Sequence, residues 1–252
     1  MKTTKVKAEV HTHSIASFHA YSTIGEMINM AEQKGLELLA VTDHGPSYPD
    51  SPHTWYFENL KAIPRKVNSI YFLRGAEANL ISYDGTVDIP QEILAKLDWV
   101  IASIHVPFLE PGSIKDHTDT YINALKNPMI DALGHSGTPS FPYDIDSVLE
   151  TAKKLDKVIE LNNHSFIARK ANIENCKKIA RRCAELGVNV VLTTDAHSAF
   201  EIGETDECWK MAMEAGIREE QILNISAERF LSYICRRRGY DRSIFENTKS
   251  EG

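Results

Sequence analysis

A chain of 252 residues with 42% hydrophobic and 25% charged residues has ordinary globular composition, which excludes disorder and leaves room for one large domain or two small ones. A formal net charge of -7 excludes the broad basic surface that gives non-specific affinity for nucleic acid, so no extended nucleic acid is expected as a partner. No apolar run approaches the roughly 18 residues of a membrane span, and MKTTKVKAEVH enters a strand-like segment too soon for a signal peptide, so a cytoplasmic protein without membrane association is expected.

Short runs rich in Val, Ile and Leu recur along the chain with helical patterns between them, the sequence sign of βαβ units around a parallel sheet. The predicted strands are Val6 to Val10, Leu38 to Thr42, Ile70 to Arg74, Trp99 to Ser103, Ile130 to Leu133, Val158 to Leu161 and Val188 to Thr193. After the first, Thr23 and Glu26 form a capping box, Ile24, Met27, Ile28 and Ala31 share a helical face, and Gly35 supplies the stop. Asp146 is expected to cap a helix carrying Val148, Leu149, Ala152 and Leu155, and a helix through Cys176 and Cys183 stops at Gly187. A further helix is expected around Cys208 to Ala215, then a weak eighth strand at Ile222 to Ile225. The polar tail 236–252 reads as a docked or frayed end of one barrel domain spanning 1–252. The four cysteines form no CxxC pair, and Cys176 and Cys183 lie on an apolar face, so reduced thiols are expected.

Nearly every predicted strand is followed at once by a histidine or a carboxylate. The first runs into His11-Thr12-His13, the second into Asp43-His44, the third into Glu77, the fourth into His105, the fifth into His135, the sixth into Glu160 and the seventh into Asp195-Ala196-His197. In a parallel barrel these ends open on one face, where barrel enzymes keep their chemistry. Imidazole and carboxylate suit Zn, Mn or Fe. Residues two apart on a strand point to the same side, so His11 with His13, and Asp195 with His197, can each reach one ion. Gathering so many imidazoles without a metal or partner charges would strand buried polar groups.

EVHTHS, VTDHG, GAEANL, SIH, GHSG and TTDAHS together resemble the motifs of the PHP (polymerase and histidinol phosphatase) family, with spacings nearest its stand-alone phosphatases of the YcdX type. The resemblance spans roughly residues 8 to 200. It implies an α/β fold, a distorted (β/α)7 TIM-like barrel, holding three divalent metal ions, most often Zn, with Mn or Fe as alternatives. It implies one ion on His11, His13, Glu77 and Asp195, a second on Glu77, His105 and His135, and a third on His19, His44 and His197. His19, in the loop after the first strand, is a ligand only by that resemblance. A homotrimer is implied the same way.

Three divalent ions against two carboxylates would leave a strongly positive pocket in an acidic protein, suited to a small phosphorylated substrate. Close ions acidify water and stabilise charge on phosphoryl oxygens, so the expected reaction is phosphate monoester hydrolysis. Asp43 is a candidate general acid or a carboxylate that orients a ligand imidazole. Arg169, in ELNNHSFIARK, could contact phosphate bidentately. Ala168 and Ala171 flank it where the related phosphatases carry Ser and Gly. His53 sits in a candidate lid, GPSYPDSPHTWYF, that could bring Trp55 or Tyr56 over the substrate. His117 is expected at the surface, His164 is unassigned, and Glu160 is expected to support ligands rather than bind metal. The rival readings are a small-nucleotide phosphoesterase or exonuclease of the same family, an amidohydrolase-type C–N hydrolase, and a non-catalytic metal-stabilised barrel. The C–N hydrolase commonly needs a carbamylated lysine after the fourth strand, and SIHVP has none.

Overall fold

The structure, a computed structural model, describes residues 5–49 and 51–250. Its strands are β1 (Ala8–Glu9), β2 (Leu38–Val41), β3 (Lys66–Val67), β4 (Ile70–Asn79), β5 (Trp99–Ser103), β6 (Ala132–Leu133), β7 (Val158–Asn162) and β8 (Val190–Thr193). The helices are α1 (Ile24–Gln33), α2 (Thr54–Asn59), α3 (Gln91–Leu94), α4 (Ile114–Lys126), α5 (Ile145–Lys154), α6 (Ile173–Leu186), α7 (Asp206–Glu214) and α8 (Ala227–Arg238). All the strands except β3 run parallel in chain order around a nearly closed barrel, and β3 pairs antiparallel with the start of β4. The seven expected strands are therefore present, β1 and β6 shorter and β4 longer than expected. Every residue of β2, β5, β7 and β8 is buried, as continuous apolar strands covered by helices must be.

Among the described residues no ladder joins β8 to β1, and one isolated backbone bridge and buried side chains close that seam. At its upper end Thr12 and Ala196 make an isolated parallel bridge, with His13 N–H donating to Ala196 O at 2.8 Å. Lower down, Asn224 Nδ2 donates to Ala8 O at 2.9 Å and Leu192 O at 2.7 Å, and Asn224 Oδ1 accepts from Leu192 N at 3.0 Å. Glu9 is fully buried and accepts from the backbone of His11 at 3.3 Å and from the Thr194 hydroxyl at 2.8 Å. Burial pushes its carboxyl up to about 7 against the pull of the Thr194 bonds. The predicted eighth strand, Ile222 to Ile225, is instead a 3-10 turn whose Ile222 bridges Val190; its work is to present Asn224 to the seam.

α1 has the expected capping box, buries Met27, Ile28 and Ala31, and ends at Gly35 with φ +72°, a backbone state that glycine adopts freely. α6 buries Cys176, Ile179 and Cys183, and the four cysteines are free thiols. α5 is capped by Asp144, whose Oδ1 accepts from Ser147 N at 3.2 Å, not by Asp146, which lies in the first turn and bonds Arg182 Nε at 2.7 Å. α8 was not predicted. Its Phe230, Leu231, Tyr233 and Ile234 pack against Ala8, Leu38, Leu73, Trp99, Ala132, Val158 and Val191, plugging the end where the strands begin. Fully burying Phe230, Leu231 and Ile234 is worth roughly 1.5–3 kcal/mol each. The basic end is docked: Arg238 reaches Asp131 Oδ2 at 2.5 Å and Arg236 reaches Asp156 at 2.8 Å. His117, expected at the surface, faces inward from α4 and is fully buried; Gly112 N–H donates to its Nε2 at 2.8 Å and its Nδ1–H donates to Pro142 O at 2.8 Å. Among the described residues no helix is long and apolar enough to cross a membrane.

Candidate metal centre

The open face of the barrel gathers the strand-end residues. His11 and His13 follow β1, His44 follows β2, Glu77 lies in β4, His105 follows β5, His135 follows β6, and Asp195 and His197 follow β8, while the loop after β1 folds His19 back over them. The imidazoles crowd: ring centroids are 4.2 Å apart for His13 and His44, 4.4 Å for His13 and His197, and 4.5 Å for His19 and His197. Two of these residues have left-handed backbone, His135 at φ +22° and Asp195 at φ +54°, a cost borne where surrounding structure fixes the side chain. Gly134 is required beside them, because a Cβ there would lie 2.2 Å from Ser103 Oγ.

The Nε2 atoms of His11 and His13 each stand close to one oxygen of Glu77 and one of Asp195. His11 Nε2 is 3.5 Å from Glu77 Oε2 and 3.4 Å from Asp195 Oδ1, and His13 Nε2 is 3.5 Å and 3.0 Å from the same two oxygens. A tetrahedral zinc with bonds of about 2.0–2.2 Å separates its donors by roughly 3.3–3.6 Å. On the other Glu77 oxygen, Oε1, converge His135 Nε2 at 2.9 Å, His105 Nε2 at 3.5 Å and the Ser103 hydroxyl at 2.6 Å. His19 Nε2 and His197 Nε2 stand 2.8 Å apart. Donor spacing groups His11, His13 and Asp195; His13, His44 and His197; and His44, Glu77 and His105, so Glu77 stands apart from the first set and His44 lies between the sets that the resemblance separates.

Buried His11 Nε2, both nitrogens of His44 and Glu77 Oε2 have no hydrogen-bond partner, although His44 Nδ1 is 2.8 Å from Glu77 Oε2. Orphaned polar atoms this close together are costly without a cation to share. The far nitrogens, by contrast, are held. His11 Nδ1 donates to Glu160 Oε1, His105 Nδ1 to Asn79 Oδ1 at 2.7 Å, and His197 Nδ1 to Asp195 O at 2.9 Å, while Ser17 Oγ lies 3.4 Å from His13 Nδ1. One nitrogen fixed by an acceptor and the other left bare is how proteins orient metal-binding imidazoles. Glu160 also receives His135 N–H at 2.6 Å and Thr193 Oγ at 2.6 Å.

The charges oppose one another strongly without metal. Burial, the largest single influence, raises the Glu77 and Asp195 carboxyls, but their neighbours together outweigh it and hold both well below the usual range, His11 with His105 and His44 at Glu77 and His11 with Arg169 and His13 at Asp195. Burial disfavours the His11 cation, yet Glu160, Asp195 and Glu77 lift that ring well above its ordinary value. Burial and the neighbouring His44 push His13 well down, and His19 and His105 fall to about 4, chiefly by burial.

A cavity of about 320 Å³ opens over this centre, lined by His19, His44, Tyr48, His105, His135, His164, Ala168, Arg169, Asp195 and His197. Arg169 donates to Asp195 Oδ2, and its Nε has no hydrogen-bond partner. Asp43 does not line the cavity. It is fully buried and accepts from Ser14 N, Ser14 Oγ and Ser17 Oγ, each at 2.7 Å, and from Tyr56 OH. The lid expectation fails in its particulars: His53 caps α2, Tyr56 is tied to Asp43, and Trp55 is 74% exposed on a separate groove. Tyr48, which sequence reasoning passed over, covers the site instead, with ring centroids 4.5 Å from His44 and 4.7 Å from Phe108. Its only sequence signal was its place four residues after His44 in the same loop.

A parallel barrel with a histidine and carboxylate centre at its strand ends is the class that fold and site define. Residues 9–165 match the PHP domain, and the chain belongs to that family. It is 45% identical over 234 residues to a protein of Acetivibrio thermocellus named "Probable phosphatase", covering 93% of this chain and 97% of the relative. A Thermoanaerobacter protein of the same description is 44% identical over 232 residues, covering 91% and 95%. The fold is shared with histidinol phosphate phosphatase from Lactococcus lactis, solved with zinc, L-histidinol and phosphate, at TM-score 0.58 and 16% identity over 84% of this chain and 94% of that one.

Proposed function

We propose that this protein is a metal-dependent phosphatase that hydrolyses phosphate monoesters of small molecules. The observation that carries the reading is the cluster of His11, His13, Glu77 and Asp195, in which each imidazole Nε2 stands 3.0–3.5 Å from one oxygen of each carboxylate, a spacing that suits donors sharing a divalent ion. His105 and His135 with Glu77 would hold a second ion, and His19, His44 and His197 a third. Zinc suits these donors best, with manganese or iron as alternatives. The names of the close relatives support phosphatase chemistry, and the zinc and phosphate in the structural neighbour support the pairing of metal with phosphate. Bound divalent ions supply Lewis acidity, lowering the pKa of water and offsetting phosphoryl charge.

The chain's own residues orient and neutralise. Arg169 reaches the cavity with a permanently charged guanidinium, already steered by Asp195, and can donate to a phosphoryl oxygen. Burial pushes the Tyr48 phenol up to about 12, so it keeps its proton at neutral pH and can donate to a ligand in the cavity. Asp43, surrounded by donors, acts through Ser17, whose oxygen accepts from His44 N at 3.1 Å and lies against His13, and so positions two imidazoles rather than donating to a leaving group. A screen of the purified protein over sugar phosphates, nucleotides, histidinol phosphate and simple amides tests the reading. Phosphate release from monoesters that is lost in a His11→Ala, Asp195→Asn double variant supports it; hydrolysis of amides alone, or full activity in the double variant, refutes it.

A further inference from the structure

Beyond the candidate metal-binding histidines and Asp195, the cavity wall is built from Tyr48, His164, Ala168 and Arg169. Arg169 brings a fixed positive charge, and its buried Nε has no hydrogen-bond partner. Asp195 is the one carboxylate lining the cavity among the described residues, and both its oxygens are engaged: Oδ1 by His13 Nε2 at 3.0 Å, Oδ2 by Asn162 Nδ2 at 3.2 Å and by Arg169. Glu77 and Glu160 lie beneath, buried: Glu77 Oε1 meets His135 and Ser103 while its Oε2 faces the imidazoles that would share a metal, and Glu160 is bonded to His11 and Thr193. The Tyr48 ring offers little free face to a cation, since His44, His105 and Phe108 pack on it at 4.5, 5.2 and 4.7 Å. His164 lines the wall beside His197, with ring centroids 5.9 Å apart, and offers ring nitrogens to a ligand hydroxyl. Among the described residues, therefore, the wall can bond hydroxyls and anions and presents to an ammonium no carboxylate other than Asp195, which is already engaged.

We propose that this site, as the phosphatase read above, selects esters whose alcohol is neutral or anionic, such as polyols and sugars, and rejects esters of amino alcohols. Recognition rests on Arg169 repelling a substrate cation while keeping Asp195 occupied. The test uses a matched pair, 2-hydroxyethyl phosphate and O-phosphoethanolamine, assayed with the metal-loaded protein at neutral pH. The hydroxyl ester is expected to win in kcat/KM by about tenfold or more, the scale of one poorly screened like-charge contact. Arg169→Met removes that charge and leaves Asp195 Oδ2 with Asn162 alone, so both rates fall but the ratio shrinks toward unity, which a merely structural role of Arg169 would not produce. Calorimetric binding of 2-hydroxyethylphosphonate and 2-aminoethylphosphonate reads the same order without turnover. Equal or tighter binding of the amine, or an unchanged ratio in Arg169→Met, overturns the inference and leaves the phosphatase reading standing. Absence of turnover on every ester overturns the phosphatase reading, and the phosphonate order then decides the inference alone.

Discussion

Replacing Asn224 by Leu, which has nearly the same shape, removes the side-chain staple of the β8–β1 seam. Three buried backbone groups, Ala8 O, Leu192 O and Leu192 N, lose partners now at 2.9, 2.7 and 3.0 Å. A stranded buried group costs roughly 1–3 kcal/mol, so a seam that relaxes in part loses about 4 kcal/mol. For a chain of this size each kcal/mol moves the melting point by about 2–4 °C, so Asn224→Leu should melt about 10 °C lower. The comparison belongs on metal-free protein, because bound ions would stabilise both forms by mass action. The same seam carries His11 and His13 on one side and Asp195 and His197 on the other, so metal affinity should fall with stability. A melting point within about 2 °C of the parent would refute the claim that the Asn224 amide replaces the missing ladder.

Metal binding should release protons. His11 is held protonated by Glu160, Asp195 and Glu77, and an ion must displace that proton, so affinity should rise with pH; calorimetry in buffers of different ionisation enthalpy that found no release would contradict this. For the metal-free fold the signs oppose. The raised His11 contributes stability that is complete below its unfolded value and lost as pH rises through its folded value, whereas Glu77 and Asp195 contribute stability that is lost as pH falls. Glu160→Gln should weaken metal binding by about 10–100-fold, since it loosens the acceptor that orients His11, and equilibrium dialysis showing unchanged affinity would remove that role. Tyr48→Phe keeps the ring that packs on His44 but deletes the hydroxyl, so it should raise KM for monoesters several-fold with metal content unchanged; loss of metal would show that Tyr48 acts through packing instead.

The barrel was legible because its strands are short apolar runs and its helices punctuate them with caps and glycines. The metal candidates other than His19 were legible because each follows such a run, whereas His19 is marked only by the family resemblance. What escaped depended on contacts distant in sequence. α8 hid behind Arg236, Arg237 and Arg238, whose charges suggest a solvated tail until Asp131 and Asp156 are seen opposite them. Ile222 to Ile225 has strand-like residues, but the seam takes the Asn224 amide, which no periodicity reveals. Asp144 and Asp146 are both plausible caps two residues apart, and Arg182, 36 positions away, claims the second. His117 looks like any helix-surface histidine until the Gly112 and Pro142 backbones meet it. Tyr48 and His164 have no ligand spacing to mark them, and only the cavity identifies them.

The central claim is that divalent ions on the His11, His13, Glu77 and Asp195 donors make this chain a phosphatase. The most direct measurement is elemental analysis of the purified protein coupled to phosphate release before chelation, after it, and after return of zinc or manganese. The account predicts bound divalent metal, activity that vanishes with the metal, and recovery when it is restored. A protein that purifies with negligible metal and still cleaves phosphate monoesters at full rate after chelation would contradict it.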